Sequence, residues 1–420
     1  MNIFQNLSFL LLFSGTLSAQ LDFDLKASGA IIMNAETGVI LFEKNAHVLH
    51  YPASITKIAT AAYALKEQGH KLDTVLTAEH HHIAWVKEEA KARSNYTIPS
   101  FYLVPGASHM GILKGEEMIL RDLLYGMMVA SADDASNVIA QFIGGTIPNF
   151  MTDMNTYLKE LGCHNTYFMN PHGLHHPKHQ TTAYDMAILT REAMQNPHFR
   201  DMVGTVKYKR PKTNKQNEST LFQTNLLLRN GKHKYSKAVG VKTGYTSKAQ
   251  YNLVAAAEDG ERTLLIVLLK CPNRETAFQM SREMFEKAFE ESKVTKNLVQ
   301  PGPQKPVLSL ANSSATLKTF TKNIAKVSYY PSEEPKLKLM VYWDDLDLPV
   351  SKGERVGEFQ VQRDDGYVFQ KVPLYAQNDV KKRLYSRVRD SFDFTLILKV
   401  LLSGAAVLLI GGLAWQLRRK

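Results

Sequence analysis

Ser54-Ile55-Thr56-Lys57 sets an amine three residues after a hydroxyl. A serine hydroxyl is a poor nucleophile until a neighbouring base takes its proton. On a helix, residues three apart share a face, so Lys57 would sit one turn from Ser54 with its amine in reach. Exclusion from water would lower the lysine pKa and make it a base. A serine at a helix start also puts its own N–H among the free donors, where an oxyanion can bind. Two more clusters follow. Ser131-Ala132-Asp133 comes after the apolar run Leu123 to Ala130. A second serine near the first pair can relay a proton to a leaving amine; the same residues also suit a helix N-cap. Lys242-Thr243-Gly244, with Tyr245-Thr246 behind it, can present an ammonium and a hydroxyl to a substrate carboxylate. Its glycine leaves room for the backbone of an extended peptide. A surface strand ending in a turn is the plainer reading.

These residues need elements to hold them. Ser28 to Asn34 and Val39 to Lys44 flank the turn Ala35-Glu36-Thr37-Gly38, which predicts a hairpin. A helix starts at Ser54, carries an apolar stripe of Ile58, Ala62 and Leu65, and stops at Gly69. Asn252 to Ala257 and Thr263 to Lys270 flank Asp259-Gly260 as strands, and Glu275 to Phe289 reads as a helix. Strands at both ends with helices between predict an α+β fold, an antiparallel sheet flanked by helices. Lys293 to Lys305 reads as a polar, proline-containing linker. Beyond it, Val307 to Leu310, Lys336 to Trp343, Arg355 to Val361 and Tyr367 to Val372 predict a small all-β domain.

The chain has 420 residues, 44% of them hydrophobic, which is enough for a large core and a second module. A formal net charge of +11 favours anionic surfaces without naming a partner. The ends argue against a cytosolic nucleic-acid binder. Leu7 to Phe13 is a short apolar core followed by Leu17-Ser18-Ala19, which reads as an export signal over 1–19. Val400 to Leu417 is uncharged, long enough to span a bilayer and closed by Arg418-Arg419-Lys420, which reads as a membrane anchor. The expected organisation is a signal at 1–19, a catalytic domain at 20–297, a β domain at 298–385, and a connector with a transmembrane helix at 386–420. Cys163 and Cys271 either pair or stay as two buried thiols. His80-His81-His82 reads as a solvated loop, with no metal ligand set beside it.

The three clusters in this order resemble the penicillin-binding proteins and serine β-lactamases. Within that group the chain looks most like the low-molecular-weight D-alanyl-D-alanine carboxypeptidases. The closer likeness rests on Ala35 to Leu41, Pro52 to Lys57, Phe168-Met169-Asn170-Pro171-His172-Gly173-Leu174 with Ala183-Tyr184-Asp185, and Gly240 to Thr246. It covers roughly residues 25 to 290 and extends more loosely into the β module. The resemblance implies a transpeptidase-like fold and a serine-type D-Ala-D-Ala carboxypeptidase, with no cofactor and no metal. It implies Ser54 as nucleophile, Lys57 as base and Ser131 as proton relay. It also implies Lys242 and Thr243 at the terminal carboxylate, and the N–H groups of Ser54 and Tyr245 as oxyanion donors. Gly244 and Asp133 belong to the substrate site. The implied partners are peptidoglycan peptides ending in D-Ala-D-Ala, β-lactam antibiotics and, through the C-terminal helix, the bacterial inner membrane. The catalytic domain would then lie in the periplasm or outside the cell.

Three features depart from the family pattern. Asp133 stands where the family has asparagine, so an acceptor-only group replaces one that both donates and accepts. An anion beside Lys57 or Lys242 would raise their pKa values. Ala277 stands where the family often has arginine, with Arg274 one turn away as a substitute. The stretch 84–109 is long and reads as a lid or a lipid-facing loop. Other readings on the same scaffold are a D,D-endopeptidase, a β-lactamase, or a peptide-binding or scaffold protein weakened by Asp133.

Overall fold

The computed structural model describes residues 21–364 and 366–383, together with Leu11–Leu12. Residues up to 292 form one compact unit and those from 293 a second, to which Leu11–Leu12 belongs. The sheet of the first unit has five antiparallel strands in the order Ile40–Lys44, Gly29–Asn34, Thr263–Cys271, Gln250–Glu258, Ala238–Thr246. Its central strands are apolar on both faces, as a sheet covered on both sides requires. Leu265, Val267 and Leu269 pack into one core with Ile31 and Met33, while Leu264, Ile266 and Leu268 pack into the other with Ala30 and Ile32.

Helix α1 (Lys57–Gln68) is buried along most of its length and is central to the larger core. The short α2 (Glu88–Arg93) follows, then α3 (Leu120–Val129), α4 (Asp133–Gly144), α5 (Ile147–Glu160), α6 (Ala183–Ala193) and α7 (Pro197–Gly204). Alanines 59, 61, 62 and 64 let α1 approach neighbours on several sides. On the opposite face lies α8 (Arg274–Phe289), capped by the Asn273 side chain, with Phe278, Met284 and Phe285 facing the sheet.

The second unit holds an antiparallel sheet in the order Leu337–Trp343, Arg355–Arg363, Val368–Ala376, Leu317–Thr321, Gly302–Leu308. Leu11–Leu12 pairs along its first strand, and Val294–Val299 pairs separately with Ala325–Tyr329. The expected linker over 293–305 is therefore largely strand, and the first of these strands begins at Val294, ahead of the expected boundary at 297. Its side chains are mostly exposed until Val299, so the alternation that marks a strand is weak there.

His80–His82 is a 3-10 turn in which His80 and His81 are exposed, while His82 is buried and its Nδ1 accepts from the Glu79 N–H. Cys163 and Cys271 are both free and buried, with burial pushing each thiol up to about 12. The export signal, save Leu11–Leu12, and the 400–417 span lie outside the described residues. Among the described residues, no helix is long and apolar enough to cross a membrane.

Candidate active site

Ser54 sits in a 3-10 turn, Ala53–Thr56, that runs directly into α1 at Lys57. The chain entering this turn is held by Asn252, whose amide donates to the carbonyls of Tyr51 and Pro52, both at 2.8 Å. The Thr56 hydroxyl donates to the Ala53 carbonyl at 2.8 Å and accepts from His179. His179 Nδ1 takes the Met169 N–H, so its proton lies on Nε2, and burial pushes its pKa down to about 3. Ala53 itself has φ +50°, a conformation that costs a non-glycine residue energy.

Two glycines make this close packing possible. A Cβ on Gly244 would lie 2.8 Å from the Pro52 carbonyl oxygen and 3.0 Å from Ser54 N, so the 238–246 strand reaches the serine only with glycine there. A Cβ on Gly173, which has φ +97°, would lie 1.9 Å from the Ala53 carbonyl oxygen. Gly173→Ala is expected to destabilise the protein by about 2–3 kcal/mol, lowering the melting temperature by roughly 5–10 °C. The shifted Ala53 moves Ser54 with it, so penicillin acylation slows as well. Calorimetry and acylation kinetics check both, and an unchanged melting point would contradict the packing argument.

Lys57 Nζ has three neighbours: Ser54 Oγ at 3.1 Å, Asp133 Oδ1 at 2.5 Å and the His172 carbonyl at 2.7 Å. Lys57 is fully buried and Asp133 nearly so. Burial drives the Lys57 pKa down, opposed by the Asp133 charge and hydrogen bond, and drives the Asp133 pKa up, opposed by Lys57. Both shifts favour a neutral amine beside a protonated carboxyl over two full charges. Lys242 is also fully buried. Burial and then the Lys57 charge push its pKa well down, and its Nζ donates to the Thr243 carbonyl at 3.1 Å. Ser131, with φ +64° and only 4% exposed, lines the same cleft.

The N-cap alternative for the second cluster does not hold. The cap of α4 is Ala132, with no side-chain cap bond, while Asp133 turns to Lys57. Asp134 is the residue that meets backbone N–H groups, those of Met110, Ile112 and Ala135.

A cleft of about 820 Å³ opens over Ser54. Thr243, Gly244 and Tyr245 line it from the edge strand, and Ser131 and Asp133 from the start of α4. The 84–109 stretch forms a wall of this cleft through Glu88, Glu89 and Tyr96. Arg274 and Ala277 both line it too; the Arg274 guanidinium donates to the Thr224 carbonyl at 2.9 Å, and the Thr243 hydroxyl donates to the Thr224 hydroxyl at 2.8 Å.

Ser54, Ser131, Asp133, Thr243, Gly244 and Tyr245 line the cleft; Lys57 lies buried behind it, bonded to Ser54 and Asp133, and Lys242 is fully buried in the same strand as Thr243. Sequence reasoning missed Asn252, Thr224 and His179. Asn252 had a signal, the one polar residue in the apolar run Asn252 to Ala257; the other two had none.

The family model described as D-alanyl-D-alanine carboxypeptidase, peptidase S11, matches residues 16–273, and that of the penicillin-binding protein 5 C-terminal domain matches residues 310–382. The chain is 31% identical over 369 residues to the D-alanyl-D-alanine carboxypeptidase DacF of Bacillus subtilis, covering 85% of this chain and 86% of that protein. It is 28% identical over 367 residues to the D-alanyl-D-alanine carboxypeptidase DacA of Haemophilus influenzae, covering 85% and 86%. The solved structure of penicillin binding protein 5 from Haemophilus influenzae superposes with a TM-score of 0.58 at 25% identity, covering 86% of this chain and 99% of that one. The chain thus belongs to the peptidase S11 family and is a serine-type D-alanyl-D-alanine carboxypeptidase of the penicillin-binding kind.

Proposed function

We propose that Ser54 is the nucleophile and Lys57 its base, and the contacts of Lys57 Nζ carry this reading. A neutral amine has two N–H bonds and one lone pair. With the proton of the pair held on Asp133 Oδ2, Asp133 Oδ1 and the His172 carbonyl accept the two N–H bonds, leaving the lone pair for the Ser54 hydroxyl. Ser54 Oγ then attacks the carbonyl between the two terminal D-alanines while its proton passes to Lys57. The C–N bond breaks, and the proton reaches the leaving amine through Ser131. Water gives its proton to Lys57 and attacks the ester; the C–Oγ bond breaks, Lys57 returns the proton to Ser54 Oγ, and the shortened peptide leaves.

The edge position of the 238–246 strand suits an extended peptide laid alongside it. Lys242 and Thr243 take the terminal carboxylate, with Arg274 as a second cation held through Thr224. The N–H groups of Ser54 and Tyr245 are the oxyanion donors. Gly244 supplies the close approach, and Asp133 sets the proton affinity of the lysine. The enzyme works outside the cytoplasm, exported by residues 1–19 and tethered to the inner membrane by the 400–417 span. Its catalytic domain ends at Ser292 and its β domain begins at Lys293.

The full chain is expected to release one D-alanine per pentapeptide ending in D-Ala-D-Ala. Benzylpenicillin should add its whole mass once, on the peptide that contains Ser54. An adduct without D-alanine release would leave a binding protein. An adduct mapped elsewhere would overturn the role of Ser54.

A further inference from the structure

Lys91 is buried, at 1% exposure, and has no carboxylate partner among the described residues. Its ammonium donates instead to two main-chain carbonyls, Ser100 at 3.2 Å and Tyr102 at 2.5 Å. Burying an ammonium without a paired anion is unfavourable, and desolvation, opposed at longer range by the Glu88 and Asp133 charges, pushes the Lys91 pKa down to about 8. What this arrangement achieves is visible one residue away. The Phe101 carbonyl, between the two that Lys91 holds, accepts from His172 Nε2 at 3.1 Å and from the Asn137 amide at 2.9 Å. The other His172 nitrogen accepts the Leu174 N–H, so the ring is neutral with its proton on Nε2. The His172 carbonyl in turn takes an N–H of Lys57. A continuous set of hydrogen bonds thus runs from α2 through 100–102 and His172 to the amine beside Ser54. Ser100 Oγ adds a second tie, to the Met169 carbonyl in the same loop as His172.

We propose that Lys91 is a positioning residue for acylation: by clamping the Ser100 and Tyr102 carbonyls it fixes Phe101 and His172, and so aims the Lys57 lone pair at Ser54. The 84–109 stretch is then more than a wall of the cleft, because its own lysine sets the geometry of the base. The inference rests on the reading of Lys57 as base. It concerns orientation and leaves substrate contacts untouched, so it acts on kcat and spares KM. Displacements of about 1 Å at a reacting group cost on the order of 100-fold in rate.

The test compares Lys91→Met, Lys91→Gln and Lys91→Arg in the full chain, with kcat expressed per site titrated by penicillin, and Lys57→Met, whose loss of the base also stops titration, with activity expressed per folded chain. Lys91→Met is expected to lower kcat by about 10–100-fold with KM within about threefold of wild type. Lys91→Gln, whose shorter amide reaches fewer of the carbonyls, falls between, and Lys91→Arg, which keeps charge and donors, recovers most of the rate. Were Lys91→Met not to fold, a reduced kcat per titrated site in Lys91→Gln would support the proposal and a wild-type value would overturn it. A lowered melting temperature with unchanged kcat per titrated site would make Lys91 merely structural and overturn it too. Lys57→Met separates the premise: full activity there removes the base reading itself, whereas loss there with full activity in Lys91→Met overturns only the inference.

Discussion

Ser54→Ala should lower D-alanine release by at least about 10⁴-fold and abolish the penicillin adduct, while leaving the protein folded. Removing the nucleophile of a serine hydrolase erases the covalent route and leaves only binding and oxyanion stabilisation, which together supply far less. Stability should change little. The Ser54 side chain is half-buried and makes one side-chain hydrogen bond, to Lys57 Nζ at 3.1 Å. Losing such a bond is worth about 1 kcal/mol. Lys57 retains Asp133 and the His172 carbonyl, so its buried amine stays satisfied. Intact-mass spectrometry with penicillin and a coupled assay for free D-alanine read the result. Residual release above about 1% of wild type would mean that another group attacks, since a lost general contact rather than a lost nucleophile gives effects of about 10²-fold.

The site was legible where chemistry and periodicity coincide. Ser54 and Lys57 are three residues apart on one helical run, so their contact follows from local geometry alone. Lys242, Thr243 and Gly244 lie in an alternating strand, and the glycine marks the close approach to Ser54 N. The sheet read well because its strands are apolar on both faces and bounded by turns. Contacts made across the chain were not legible. Asp133 reaches Lys57 over 76 positions of sequence, and nothing local separates that use from a helix cap. Thr224 and His179 act through hydrogen bonds to residues 19 and 123 positions away. The 294–299 strand was missed because its burial is one-sided and slight. The 84–109 stretch carries no period that would have placed it in the cleft.

Lys57→Met and Asp133→Asn should separate the two halves of the buried pair by giving opposite pH dependences of stability. In the wild type the folded pair shares one proton, and near neutral pH the unfolded chain also holds one, on the lysine. Stability therefore varies little with pH there. In Asp133→Asn the anion that most raises the Lys57 pKa is gone and burial is opposed only by the weaker Asp134 charge, so the folded lysine is neutral where the unfolded one is charged. The unfolded chain then binds more protons, and stability rises with pH from the depressed folded pKa up to the unfolded value of about 10.4, by at most about 1.4 kcal/mol per pH unit. In Lys57→Met the remaining Asp133 is held protonated by burial, above its unfolded pKa. The folded protein then binds the extra proton, and stability falls as pH rises from about 3.9 through the raised folded value. Activity divides the variants as well. Lys57→Met loses the base and about 10³-fold or more in acylation. Asp133→Asn keeps it, and the acid limb of kcat/KM moves to lower pH because less acidity is needed to protonate the lysine in the wild type than in the variant. On that limb each unit of displacement is worth tenfold in rate. Melting curves between pH 5 and 10, with acylation rates over the same range, read both effects. Parallel slopes in the two variants, or an acid limb that does not move in Asp133→Asn, would show that Asp133 does not share the proton of the catalytic lysine.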